Sequence, residues 1–215
     1  MKDRLILLFC ANASGDLKIK PLLVYHSEKP WAFKKHKVNK EQLSVLWQSN
    51  PKAWVTRLLF VQWVNVVFGH AVKQYLVDNN LPLTAMLLTD CALAHPPGLE
   101  EDLLEDLNFI KVMFLPPNTT PLLQPMDQQV IPNFKKKLYT RELFRRWFER
   151  TDRSSLTLHE FWREHFDIVS CLQIITIACA RLCCETCLRC FCTCTRVNSV
   201  GGDCFLGEDH GPGGD

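Results

Sequence analysis

The sequence lacks an apolar run long enough to cross a bilayer. Spanning the hydrocarbon core takes roughly 18 or more apolar residues, and no run among these 215 residues approaches that length. The sequence also lacks a strong excess of charge of one sign, because its formal net charge is only +2. We therefore predict no membrane partner, and the net charge by itself says little about other partners.

Cysteine is nearly absent from most of the chain. Only two of the eleven cysteines precede residue 170, and the other nine fall between Cys171 and Cys204. Because small secreted domains depend on disulfides and this main body has no such framework, we expect it to be intracellular. The shift in composition predicts one domain over residues 1–170 and a cysteine-rich tail over residues 171–215, which is disordered or unrelated to the rest.

The N-terminus fits two interpretations. The apolar residues 5–10, followed by Ala11-Asn12-Ala13, have the outline of a short signal peptide. The same residues can form a strand, because residues 12–16 suit a hairpin turn that leads into a second strand-like run at residues 18–25. Asp3 weakens the positive charge that a signal peptide carries before its apolar run. We therefore predict an antiparallel pair of strands.

Further along the chain, helical and strand patterns alternate, which is typical of an α/β sheet. The predicted strands are residues 53–56, 83–89 and 109–115, and the predicted helices are residues 57–79, 99–107, 133–150 and 154–166. Residues 26–50 are polar and basic and are predicted to be irregular. Thr56 is the expected cap of the first of these helices.

Two carboxylates stand where such a sheet could hold a metal ion. Asp90 directly follows the predicted strand 83–89, and Asp127 follows a proline-rich turn ahead of the helix 133–150. Side chains at the carboxyl ends of strands line the ligand crevice of open α/β sheets, and Mg²⁺ or Mn²⁺ prefers carboxylate oxygens. We predict both acids as metal ligands, although Asp90 could equally cap the segment after it. His95 could orient a water or a phosphate, or be an ordinary surface residue.

The most basic stretch of the chain is the predicted helix 133–150. Its candidate nucleic-acid-binding residues are Lys135, Lys136, Lys137, Arg141 and Arg145. A solvated helix face is the simpler interpretation of such a run. The alternative interpretation, a helix face that binds along DNA phosphates, is supported by the position of the helix, which begins beside the acid pair.

The cysteine-rich tail contains four cysteines whose spacing is typical of a metal-binding site. Cys184, Cys187, Cys190 and Cys194 have the C-x₂-C-x₂-C-x₃-C spacing of an iron–sulfur cluster, and CxxC pairs also suit zinc. The proline that should follow the run is replaced by Thr195, and there is no second run. We favour the interpretation that these cysteines hold neither a cluster nor zinc.

Five segments of the chain, taken in order, resemble one protein family. The segments are Lys2-Asp3-Arg4, residues 17–28 (LKIKPLLVYHSE), residues 87–90 (LLTD), residues 115–120 (LPPNTT) and residues 123–128 (LQPMDQ). They resemble the DDE-type endonuclease domain of Tigger transposable-element-derived proteins, in the pogo branch that also includes centromere protein B and the jerky proteins. The resemblance runs to about residue 170. It implies an RNase H-like α/β fold, a nuclear location, and a catalytic metal-binding triad in which Asp90 is the second acid and Asp127 the third.

The departures from the family bear on activity. The family's first acid lies on a strand upstream of Lys2-Asp3-Arg4, and its N-terminal helix-turn-helix DNA-binding domains have no counterpart in this sequence. After Asp90 the family has Asn-Ala-Pro-Gly-His, where this chain has Cys91-Ala92-Leu93-Ala94-His95, and Gln129 replaces a family glycine. We therefore expect a catalytically inactive, transposon-derived protein that binds DNA weakly and without sequence preference. Mg²⁺ or Mn²⁺ is the expected cofactor, if there is one.

The resemblance also predicts an incomplete sheet. The family's first strand is central, so without it residues 5–11 and 83–89 would each face a gap and become open edges. We expect the chain to be poorly stable, or to complete its sheet with a strand from a protein partner or a second copy. Two alternative functions stay open. One is an active Mg²⁺-dependent DNA endonuclease or strand-transfer enzyme that recruits a third acid such as Asp16, and the other is a chromatin or protein interaction module.

Overall fold

A computed structural model of the protein describes residues 4–12, 14–89, 98–116, 124, 126, 130–151, 157–182 and 191–198, the last range by its backbone alone. These residues form a mixed sheet with helices packed on both of its faces. None of the helices in these ranges is both long and apolar enough to cross a membrane.

Six strands form the sheet in the order β3-β2-β1-β6-β4-β5. They are β1 (Arg4–Ala11), β2 (Leu22–Tyr25), β3 (Leu46–Ser49), β4 (Ala85–Thr89), β5 (Ile110–Phe114) and β6 (Phe191–Asn198). β1 is antiparallel to both of its neighbours, whereas β2 pairs with β3, and β4 pairs with β5 and β6, in parallel. The sheet therefore mixes both kinds of pairing.

Several helices include a wider π-helical stretch. The α-helices are α1 (Trp31–Lys35), α2 (Arg57–Trp63), α3 (Gly69–Asp78), α4 (Thr140–Thr151), α5 (Leu158–Glu160) and α6 (Ile168–Arg181). The π-helical stretches are Val64–Phe68, Asn133–Tyr139 and Phe161–His165, and 3₁₀ turns cover Lys40–Gln42, Leu99–Asp102 and Glu105–Leu107. Each π stretch adjoins an α-helix, so the predicted long helices are largely continuous but not regular.

β1 lies at the centre of the fold because it is buried on both faces. Successive side chains of a strand point to opposite faces, and here the odd-numbered residues from Leu5 to Ala11 enter one core while Ile6, Leu8 and Cys10 enter the other. A strand covered on both sides reads as an unbroken apolar run rather than an alternation. This is why the sequence predicts β1 correctly.

The core on one face is built from α2, the π stretch Val64–Phe68 and α3. Thr56 caps α2 as predicted, because its Oγ1 accepts a hydrogen bond from the Leu59 backbone N at 3.4 Å. Gly69 then lets the helix lie close to Leu107, since a Cβ on Gly69 would stand 2.4 Å from the Leu107 Cδ1. Only glycine allows this approach without displacing Leu107.

The core on the other face is built from the π stretch Asn133–Tyr139, α4, the segment around Phe161, and α6. The ring of Phe134 lies 4.9 Å from that of Phe9 on β1, and Phe134 is fully buried. Cys171 of α6 is also buried, and its Sγ lies 3.2 Å from the Tyr139 hydroxyl. Burial raises the pKa of the Cys171 thiol to about 12, so this cysteine is a core residue and not a reactive thiol.

Three local predictions differ from the structure. The third strand is β3, not residues 53–56, and α1 and β3 lie inside the stretch predicted to be irregular. β3 forms because Trp47 packs on Phe33, with ring centroids 4.6 Å apart, a long-range contact that no local pattern reveals. Residues 99–107 form two 3₁₀ turns instead of one helix.

Two further features of the structure concern the predicted gap in the sheet and the predicted domain boundary. Between β1 and β4, where the sequence predicts a gap, the structure places β6 from the cysteine-rich tail. The predicted domain boundary at residue 170 falls inside α6, whose residues Cys171, Ile174 and Ile175 are fully buried in the core. Residues 171–181 therefore belong to the body of the domain, because their apolar face packs against the sheet.

Candidate nucleic-acid interface

The two acids of the predicted metal site, Asp90 and Asp127, lie outside the described residues, as do His95 and Gln129. Of their neighbours, Thr89 ends β4 and is buried, and Met126 is buried in the core. Within the described part of the chain, no three His, Cys, Asp or Glu side chains are grouped so that they could hold a metal ion. The metal site therefore stays a prediction.

The tail cysteines are likewise untested as ligands. Cys184, Cys187 and Cys190 lie outside the described residues, and Cys194 is described only as a backbone position in β6. The zinc and iron–sulfur interpretations both remain predictions.

Gln124, from the LQPMDQ motif, was not predicted as a site residue. Its side chain is fully buried, and neither its Oε1 nor its Nε2 has a hydrogen-bond partner among the described residues. Burying an amide without partners is costly. Since Met126 two residues later is also buried, this part of the motif is anchored in the protein interior, next to Asp127 in the sequence.

Asp16, the third acid in the alternative of an active endonuclease, is already engaged in the turn after β1. Its Oδ1 accepts a hydrogen bond from Asn12 Nδ2 at 2.6 Å, and its Oδ2 accepts one from the Tyr75 hydroxyl at 2.7 Å. Hydrogen bonds from Ser14, Asn12 and Tyr75 hold the pKa of the Asp16 carboxyl well below its ordinary value. These contacts tie the hairpin turn to α3, so a metal would have to displace them.

The predicted basic helix is confirmed as the π stretch Asn133–Tyr139 followed by α4. Lys136, Lys137 and Arg141 are exposed. In the described part of the chain, none of these three forms an ion pair. They can therefore reach a phosphate without breaking an internal contact. Lys135 is less exposed and already has a partner.

Arg145 differs from the other predicted cations because it is held by acids. Its Nη2 donates to Glu142 Oε1 at 2.6 Å and its Nε donates to Glu142 Oε2 at 3.2 Å, and it also pairs with Glu149. Such a forked contact between a guanidinium and a carboxylate is strong and directional. Much of the Arg145 charge is therefore neutralised within the protein.

Glu142 is the residue at this surface that sequence reasoning missed. It is only 1% exposed, and besides Arg145 it lies 3.5 Å from Arg146 Nε and 3.5 Å from Arg181 Nη1. Hydrogen bonds from Arg145 hold the pKa of the Glu142 carboxyl below its ordinary value. The spacing of Glu142 to residues 145 and 146 was a readable signal, but Arg181 is distant in sequence.

These elements define a mixed α/β domain with an exposed cationic helix at its surface. A sequence model described as DDE superfamily endonuclease matches residues 2–191. The chain therefore belongs to the DDE superfamily endonuclease family, whose fold is RNase H-like, and the resemblance drawn from the sequence is confirmed.

Several curated proteins are similar to the chain. The human Jerky protein homolog is 34% identical over 137 residues, and the human Tigger transposable element-derived protein 7 is 34% identical over 139 residues. CENP-B homolog protein 2 of Schizosaccharomyces pombe is 24% identical over 136 residues. These matches cover 62–63% of this chain but only 23–25% of the length of the relatives. No solved structure matches the chain significantly.

Proposed function

We propose that this protein is a transposon-derived DDE domain that binds DNA weakly and without sequence preference, and that works in the nucleus. The observation that carries this proposal is the set of exposed cations Lys136, Lys137 and Arg141, which have no acidic partner among the described residues. Cations presented in this way release counterions from DNA when they meet phosphates, which favours binding to any sequence. Three such cations support a weak interaction.

The proposed binding is tested by neutralising the two exposed lysines together, as Lys136→Gln with Lys137→Gln. We expect the affinity for a duplex of arbitrary sequence to fall roughly tenfold, and the slope of log K against log salt to flatten by about 0.9 for each lost phosphate contact. Fluorescence anisotropy over a salt series measures both quantities.

The matched control replaces Lys52 and Lys111, which are also exposed but lie elsewhere on the molecule. This pair removes the same charge from the protein, so it should leave the salt slope nearly unchanged. Equal losses in the two double variants would mean that net charge alone attracts DNA, and the proposed interface would be wrong.

We propose further that this protein does not cleave DNA. Asp90 and Asp127 would hold one Mg²⁺ or Mn²⁺ through their carboxylates, and a second metal ion usually needs a further acid. Asp16, which the alternative of an active endonuclease requires, is occupied by its hydrogen bonds to Asn12 and Tyr75. Because Asp16 is already engaged in hydrogen bonds, this argument for catalytic inactivity does not depend on the positions of Asp90 and Asp127.

Inactivity is tested by a nicking assay on supercoiled DNA with Mg²⁺ or Mn²⁺, in which we expect no cleavage above background. Asp127→Ala is the control, because a cut that survives this substitution comes from a contaminating nuclease. Cleavage that the substitution abolishes would establish the alternative, an active metal-dependent endonuclease.

A second candidate function is a protein interaction module, either with a chromatin protein or with a second copy of the chain. It is favoured by Met86 and Met113, which lie on the paired strands β4 and β5 and are 47% and 50% exposed. Exposed apolar side chains on neighbouring strands are typical of contact surfaces. If the wild-type protein fails to bind duplex DNA at low salt, this function becomes the better explanation.

A further inference from the structure

A cavity of about 310 Å³ opens on the side of α4 that faces the start of α6. It is enclosed by one turn of α4, the π stretch Phe161–His165, and the beginning of α6. The lining residues that matter for its chemistry are Arg145, Arg146, Glu149, Arg150, His165 and Ser170. Its volume lies at the lower end of the range of ligand pockets, about 300–1,000 Å³, so it suits a small group.

The charge of the cavity wall is positive. Three arginines and one acid, Glu149, line the cavity. Glu149 is itself paired with Arg145. Arg146 Nη1 donates to Gln173 Oε1 at 2.9 Å, and its Nε lies 3.5 Å from the buried Glu142. Three of the lining residues carry a guanidinium group and one carries a carboxylate, while Glu142 and Asp167 stand directly beside the wall and much of the Arg145 charge is neutralised. A wall of this kind attracts anions.

Arg150 and His165 contact each other in the cavity wall. Arg150 Nη1 lies 3.2 Å from His165 Nδ1, and because a guanidinium has only donors, the Nδ1 must accept. The His165 ring therefore lies beside Arg150 in the cavity wall, with Nε2 as its second polar atom.

The start of α6 adds a further favourable feature. α6 has 14 residues, and its first turn is capped by Asp167, whose Oδ1 accepts from the Ser170 N at 2.9 Å. The N-terminal end of a helix carries a partial positive charge, which favours an anion nearby. Ser170, in this first turn, also lines the cavity, and its Oγ donates to Asp167 Oδ1 at 3.2 Å.

We propose that this cavity binds one phosphate group of the DNA backbone. The guanidinium fork matches the oxygens of a phosphate, and the arginines of α4 and the imidazole of His165 line the cavity from two separate elements. This inference rests on the proposed DNA binding and adds a defined phosphate subsite to it. The subsite is distinct from the exposed cations, since neither Lys136 nor Lys137 lines the cavity.

The test titrates isotopically labelled full-length protein with inorganic phosphate and, separately, with a short DNA duplex, and follows the NMR signals of Ser170 and His165. We expect both ligands to shift the same signals. Arg146→Gln and Arg150→Gln should each weaken phosphate binding about tenfold, because each removes a charged hydrogen bond. Ser170→Ala, which leaves every arginine contact in place, should weaken it less.

Arg163→Gln is the matched control. Arg163 lies on the same π stretch as His165, is 74% exposed, pairs only with the neighbouring Glu164 among the described residues, and does not line the cavity. It should leave phosphate binding unchanged. Circular dichroism and thermal unfolding of each variant show whether a loss of binding reflects a loss of fold.

Three outcomes would overturn the phosphate subsite. The first is that phosphate shifts no signal of Ser170 or His165, and the second is that Arg163→Gln weakens phosphate binding as much as Arg150→Gln. The third is that phosphate binds in the cavity but the duplex leaves these signals unmoved, which would make the site one for free phosphate. In each case DNA binding itself is judged separately, by the variants of Lys136 and Lys137.

Discussion

We expect a chain that ends at Cys190 to lose at least about 4 kcal/mol of folding free energy. The change removes β6, which pairs with all eight residues of β1, from Arg4↔Asn198 to Ala11↔Phe191. A ladder of this length holds about eight backbone hydrogen bonds, each with a net contribution of about 0.5–1.5 kcal/mol. Because domains are stable by only about 5–15 kcal/mol in total, the shortened chain should unfold with little cooperativity.

The position of β6 makes its removal more damaging than the loss of an edge strand. In the described sheet, β6 joins the group β3-β2-β1 to the pair β4-β5, through the contact Thr89↔Cys192. Without it, the inner edge of β1 presents unpaired backbone groups, which promote aggregation. Chemical denaturation and light scattering measure the two effects.

Hydrogen exchange tests the same prediction residue by residue. The Cys10 carbonyl accepts a hydrogen bond from the Ile19 N, so the backbone groups of Cys10 face the β2 side and those of Phe9 and Ala11 face β6. In the shortened chain, the amides of Phe9 and Ala11 should lose more protection than that of Leu8, which also faces β2.

A chain that ends at Asn198 is the control, because it keeps β6 and should behave like the full protein. If the chain ending at Cys190 unfolds at the same denaturant concentration and protects Phe9 as well as the full chain does, β6 does not support the sheet. A tail that is structurally unrelated to the domain would then be the better description.

The strands that the sequence predicts well have an apolar pattern that can be recognised without knowing which distant residues they contact. β1 and β4 are short apolar runs bounded by polar or turn residues, and the structure places both within a few residues of the prediction. β6 was not predicted because its pairing with β1 joins residues almost at opposite ends of the chain. Strand propensity depends on such neighbours, and the pattern of residues 191–198 alone does not show them.

In the candidate interface, too, local features could be predicted from the sequence and long-range contacts could not. That residues 133–150 form a cationic helix follows from composition and period, and the structure confirms it. Which of its cations are paired with acids could not be read in the same way, because Arg145 is held by Glu142, and Glu142 is held in turn by Arg181 from α6. The predicted metal ligands Asp90 and Asp127 rest on the sequence and the family alone.

We expect Glu142→Gln to destabilise the protein by about 2 kcal/mol, since hydrogen bonds to charged groups contribute about 1.5–3 kcal/mol each. The substitution keeps the shape of the side chain but removes the charge that holds Arg145, Arg146 and Arg181 together at one buried point. For a domain of this size the unfolding midpoint should fall by about 5 °C, which calorimetry would detect.

The pH dependence has a defined sign. The pKa of Glu142 is lowered in the folded protein, chiefly by the hydrogen bonds from Arg145. The stabilisation by Glu142 is therefore complete above its ordinary value of 4.5 and is lost as the pH falls through the lowered pKa of the folded state. The unfolding midpoints of wild type and Glu142→Gln should therefore approach each other as the pH falls below 4.5.

Glu149→Gln is the comparison that separates burial from charge. Glu149 also pairs with Arg145, but it is 56% exposed, and exposed ion pairs contribute little to stability. It should therefore shift the midpoint far less than Glu142→Gln does. Equal shifts in the two variants would mean that the buried position of Glu142 has no special effect.

The same substitution should change DNA binding in the opposite direction from stability. Without the Glu142 charge, Arg145 and Arg146 keep their positions on α4 but lose the anion that neutralises them. Their positive potential toward a phosphate then rises, so Glu142→Gln should bind duplex DNA more tightly than wild type at low salt. Weaker binding by a folded Glu142→Gln protein would show that Glu142 orients these arginines toward DNA, and that the organisation of the cluster matters more than its net charge.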